Sequence, residues 1–116
     1  MRYRIITDDR EGYGSYRVTT RGYAYSLQDS SGRGMLDYHW HPTGRSDETR
    51  PHLHVGSHQL TDDAVLTNKL HIPTGRVTLE DAVRAAIGLG AEPLVDDWDD
   101  RLTLSESPHK LYRSWH

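Results

Sequence analysis

The chain contains no cysteine and no phenylalanine. Without thiols there is no disulfide framework and no thiolate zinc site, so a metal would have to be held by His, Asp or Glu. Leu, Ile and Val together number only 22 of 116 residues. That is about 19%, at the edge of the range in which chains fail to build a core. Disorder also needs strong net charge, and the formal net charge here is only −3. Seven Tyr and three Trp supply apolar surface that Phe would otherwise give. The expectation is one folded, thin-cored domain. No apolar run approaches the roughly 20 residues of a membrane span. The opening MRYRIITDDR lacks the apolar core of a secretory signal, which makes a cytoplasmic protein the expectation. Charge is lopsided: residues 1–60 carry 8 basic against 7 acidic side chains, and residues 61–116 carry 6 against 10. This balance excludes a strongly basic nucleic-acid binder but leaves room for a local Arg/His patch.

What the chain has in excess is histidine, eight in all. Six of them, His39, His41, His52, His54, His58 and His71, fall within 33 residues, and their placement depends on the secondary structure. Arg2–Thr7 alternates as a strand. Ser15–Gln28 is strand-like, but its apolar set shifts from Tyr16, Val18 and Thr20 to Tyr23, Tyr25 and Leu27, which requires a turn or bulge at Arg21–Gly22. Gly34–His41, His52–Val55 and Leu70–Ile72 read as further strands, with polar loops at Asp29–Gly34 and Pro42–Pro51. Leu79–Leu89 reads as a helix with Thr78 as N-cap. Its inward stripe is Leu79, Ala82, Val83, Ala86 and Ile87, and Gly88, Gly90 and Pro93 stop it. Asp96–Ser105 is a second helix, and Pro108 starts a short final turn with Leu111, Tyr112 and Trp115. Strands in 1–76 and helices in 77–116 imply an α+β fold. Its architecture is a small antiparallel sheet of about five strands, with one face covered by the C-terminal helices.

The strand period then sorts the histidines. His39 and His41 point opposite to Leu36, Tyr38 and Trp40; His52 and His54 opposite to Leu53 and Val55; His71 opposite to Leu70 and Ile72. Five histidines and Asp37 therefore share one predicted face, with Arg45, Arg50 and Arg76 in loops near the strand ends. Three readings of that face stand open. It can be a solvated sheet face. It can be a site for a divalent transition metal, using His39, His41, His52, His54 and His71 with Asp37, Asp47 or Glu48 as carboxylate; the paired His-x-His geometry is similar to that of cupin-like sheets. It can be a metal-free phosphodiester site, in which one imidazole takes a proton, an imidazolium returns one, and arginines stabilise the phosphate. The His52-Leu53-His54 segment lacks the third histidine of histidine-triad hydrolases, because position 56 is Gly56.

Other features have plainer explanations. Tyr13, Tyr16, Tyr23, Tyr25 and Tyr38 could stack on bases, but strand tyrosines at period two generally serve sheet packing. Asp96, Asp97, Asp99 and Asp100 suit the start of a helix. Gly12 and Gly14 are too isolated for a phosphate loop.

The order of motifs from Tyr23 to Ile87 resembles TumE-type toxins of bacterial toxin–antitoxin pairs. It comprises Tyr23-Ala24-Tyr25 before a polar hairpin, Tyr38-His39-Trp40-His41-Pro42, Pro51-His52-Leu53-His54-Val55, and Thr78-Leu79-Glu80-Asp81 at a helix start. The resemblance covers roughly half the chain and leaves out 96–116. It implies a ribonuclease held silent by an antitoxin-like protein partner, with RNA as substrate. On that reading His39, His41, His52 and His54 supply the acid and base. Arg45, Arg50 and Arg76 contact phosphate, and Tyr38 or Asp37 orients an imidazole. The alternatives are a metalloenzyme or metal sensor built on the same histidines, and a non-enzymatic binding module that uses the acidic C-terminal half. The thin core also suggests a homodimer or a hetero-complex that covers the exposed sheet face.

Overall fold

The computed structural model describes residues 1–12, 14–43 and 48–114. Tyr13, Arg45, Asp47 and Trp115 lie outside the described residues. Five strands follow one another in sequence and in space: β1 (Arg2–Thr7), β2 (Tyr16–Gln28), β3 (Gly34–Trp40), β4 (His52–Val55) and β5 (Ile72–Pro73). Two helices come after them, α1 (Leu79–Gly88) and α2 (Trp98–Tyr112), and a short β6 (Arg113–Ser114) pairs in parallel with β2. The chain is thus a small α+β fold with an antiparallel five-strand path. Among the described residues no helix is long and apolar enough to cross a membrane.

The chain packs as two compact units. One comprises Met1–Arg21 with Thr78–His116, the other Gly22–Val77. The boundary falls where the alternation shifts in β2. No turn intervenes there; the strand runs unbroken, with neighbours Thr19 and Thr20 and then Gly22 and Tyr23 buried before alternation resumes at Tyr25.

In the first unit, Thr78 caps α1 as expected, its hydroxyl oxygen accepting the Asp81 N–H at 3.0 Å. The helix closes in a Schellman motif: Ala91 N–H donates to Ala86 O and Gly90 N–H to Ile87 O, both at 3.0 Å, with Gly90 at φ +113°. The expected inward stripe is corrected, since only Ala82 is buried and Leu79 and Val83 are exposed. The reason is the chemistry of the α1–α2 contact, which is made by charged side chains. Arg84 donates to Asp81, Asp99, Thr103 and Glu106, and Ser105 donates to Glu80. The second helix runs beyond its expected end at Ser105 and carries Pro108 inside it, forgoing one backbone bond rather than stopping.

The second unit holds the histidines. Its strands form an antiparallel meander from the distal half of β2 to β5. One face is aromatic. Tyr23, Tyr25 and Trp40 are buried on it, and the rings of Tyr23 and Tyr25 stack at 4.7 Å. The buried Tyr23 hydroxyl oxygen accepts the Val77 N–H at 2.9 Å, and the Arg76 guanidinium lies 4.0 Å over the Trp40 ring. At the far end of β4, Gly56 donates to Met35 O. A Cβ there would sit 1.8 Å from Gly34 O, so this crossing of two backbones needs glycine for space. The last strand is displaced from the expected Leu70–Ile72 to Ile72–Pro73. Ile72 pairs with Leu53 and Pro73 with His52, at an edge where a missing N–H is tolerated.

Candidate functional site

Directly opposed residues of an antiparallel pair share a face. Here His39 opposes His52, Asp37 opposes His54, and Ser26 of β2 opposes Asp37. Alternation adds His41, and the β4–β5 register extended by one residue sets His71 across from His54. The ring centroids of His39, His52 and His54 lie 5.0–5.6 Å apart. His71 is 4.7 Å from His52 and 4.8 Å from His54, and His41 is 5.6 Å from His39. One ring nitrogen from each of His39, His52 and His54 falls within 4.8 Å of the others. A tetrahedral ion bound at about 2.0–2.1 Å spaces its nitrogen ligands roughly 3.3–3.4 Å apart, so side-chain rotations of an ångström or so would close the trio on one ion.

Backbone carbonyls orient two of the rings. The Nδ1 of buried His52 lies 2.8 Å from Arg50 O, and the Nδ1 of His54 lies 3.2 Å from Asn68 O. A ring nitrogen meets a carbonyl at this range by donating N–H, so Nδ1 carries the proton and the neutral ring keeps its lone pair on Nε2. Metal-bound histidines are generally oriented in this way. Electrostatics point the same way. Burial, and then the positive charge His54 would carry, hold the His39 pKa below its ordinary value, with Asp37 opposing. Burial, then His52 and His71, lower that of His54 against the Asn68 hydrogen bond and Asp37. His39 and His54 thus favour the neutral form.

A cleft of about 550 Å³ is lined among others by Asp37, His39, His54, His58, Lys69 and His71, while the buried His52 lies outside its lining. Asp37 is held in place by the Ser26 hydroxyl, which donates to its Oδ1 at 2.5 Å.

The remaining predicted residues are placed elsewhere. Tyr38 opposes Leu53 and Tyr25 and faces away from the histidines. Arg76 stacks on Trp40, on the aromatic face. The Arg50 side chain is exposed and paired with Glu48 at 3.0 Å, which holds the Glu48 carboxyl at about 2; Arg50 serves the cluster through its backbone carbonyl. Ser26, Asn68 and Lys69 are contributors that the sequence reading missed. Ser26 could have been found from parity once β2 was registered against Asp37. Asn68 acts through a main-chain oxygen, for which side-chain identity gives no signal.

Searches against protein-family models, curated proteins and solved structures gave no match to this chain.

Proposed function

We propose that the chain is a metal-binding protein in which His39, His52 and His54 hold one divalent transition ion. The observation that carries this reading is the approach of the three ring nitrogens to within 4.8 Å of one another. The carbonyl bonds of His52 and His54 support it, since they leave Nε2 as the donor on both rings. A borderline ion such as zinc suits an all-imidazole site. The test is elemental analysis of the purified protein alongside thermal melts with added zinc and with EDTA. Near one equivalent of metal per chain and a melting temperature lowered by chelator are expected. A metal-free protein whose melting temperature neither zinc nor EDTA moves would refute the reading.

A second reading, the toxin-like ribonuclease with an antitoxin-like partner, is favoured by the cleft that His39 and His54 share with Lys69. It needs one imidazole protonated beside another that is neutral. Burial and repulsion from neighbouring rings oppose the charged form of His39 and His54. Among the predicted arginines, Arg76 lies on the other face and Arg50 is paired with Glu48. RNA cleavage undiminished by EDTA and abolished by the double change His52→Ala, His54→Ala would favour this reading over the metal.

A further inference from the structure

Asp37 is the carboxylate of the cleft, and an ion on the imidazoles would not need it. It stands directly across from His54, two residues before His39 on the same strand face. The Ser26 hydroxyl donates to its Oδ1, and Asp37 lines the same cleft as His39 and His54. A carboxylate fixed by a hydroxyl beside a three-imidazole ion is the arrangement that accepts a proton from a metal-bound water. Structural zinc sites are closed by four protein ligands, whereas sites that work on substrates keep a position open. The trio here fits that second description, because it offers three imidazoles and two of them, His39 and His54, line an open cleft.

The substrate class follows from charge and size. With a dication on the imidazoles, Lys69 adds a second positive group to the cleft wall against the one carboxylate, so the cleft attracts an anion. Its volume of about 550 Å³ falls in the range of small-molecule sites.

We propose that the cleft hydrolyses a small phosphate ester, with Asp37 as general base and Lys69 as a phosphate contact. The oxygen of the metal-bound water forms a bond to phosphorus, and its proton passes to Asp37 Oδ2. The phosphorus–oxygen bond to the alcohol breaks, and the departing alkoxide takes that proton from Asp37. Water and ester thus become phosphate and alcohol, with the carboxylate restored. The inference rests on the metal reading above.

The test uses full-length protein loaded with zinc, its metal content measured on every sample. The probes are p-nitrophenyl phosphate and the neutral ester p-nitrophenyl acetate. The wild type is expected to release p-nitrophenol from the phosphate with kcat/KM well above that for the acetate. Asp37→Asn is expected to bind the same zinc, melt at the same temperature in the zinc form, and lose at least about 100-fold in kcat. Lys69→Ala is expected to raise KM for the phosphate by a larger factor than for the acetate. A chain that takes up no zinc refutes the metal reading and this inference with it. A zinc-loaded chain that leaves the phosphate intact refutes only the inference, as does an Asp37→Asn variant as active as wild type. Equal rates on the two esters would overturn the anionic substrate.

Discussion

Replacing His54 by alanine separates the contribution of the site from that of the fold. His54 is only half-buried, and its protein contact is the 3.2 Å bond from Nδ1 to Asn68 O. Losing one such bond costs about 0.5–1.5 kcal/mol, and removing a ring that crowds His52 and His71 offsets part of that. The metal-free variant should therefore melt only a few degrees below wild type. The zinc-dependent shift should behave quite differently. With free zinc at a hundredfold excess over Kd, binding stabilises the wild type by about 2.7 kcal/mol. At about 4 °C per kcal/mol for a chain of this size, that is a rise of roughly 11 °C. Changes to groups that merely orient a ligand cost about 10–100-fold in metal affinity, so losing one of three ligands should cost at least about 100-fold. The same zinc concentration then only equals Kd, and the shift shrinks to about 0.4 kcal/mol, or roughly 2 °C. The assay is a thermal melt with and without zinc, for wild type, His54→Ala and the control His58→Ala, which lies on the cleft wall outside the trio. A full zinc shift retained in His54→Ala, or lost in His58→Ala, would refute the assignment of ligands.

Other predictions concern the scaffold and pH. Gly56→Ala would place a Cβ 1.8 Å from the Gly34 carbonyl oxygen. It should destabilise by about 3 kcal/mol and be read as a lowered urea midpoint; an unchanged midpoint would contradict the close approach. Tyr23→Phe leaves the Val77 N–H without its 2.9 Å acceptor beside the aromatic cluster and should cost about 1–3 kcal/mol by the same measurement. The folded-state pKa values of His39 and His54 lie below the ordinary value of 6.5, so the unfolded chain binds more protons below that pH. Metal-free stability should therefore be full above about pH 6.5 and fall as pH drops below it. Asp8, Asp29 and Glu48, held at about 2, act only at far lower pH. A urea midpoint no lower at pH 5.5 than at 7.5 would contradict the desolvated cluster.

The sequence made the histidine face legible because strand parity is a local property: the alternation in Leu36–His41 and His52–Val55 fixes which side each ring takes. The pairing of His39 with His52 and of Asp37 with His54 is a matter of register, which alternation alone does not determine. Parity had already set Tyr38 opposite the rings. Arg76 was harder, because a residue in the loop between β5 and α1 takes its side from tertiary contacts, and Trp40 captured its guanidinium. The helix stripe misled for a related reason. Leu79 and Val83 have the right spacing, but Arg84 and its carboxylates made the α1–α2 contact. Pro108 read as a boundary on local grounds, and the helix nevertheless extends through it.

X-ray absorption spectroscopy of the zinc-loaded protein tests the central claim most directly. The account predicts one zinc per chain with imidazole nitrogens from three rings at about 2.0–2.1 Å, and a reduced imidazole count in His52→Ala. A zinc surrounded by oxygen alone, or an imidazole count that His52→Ala leaves unchanged, would contradict it.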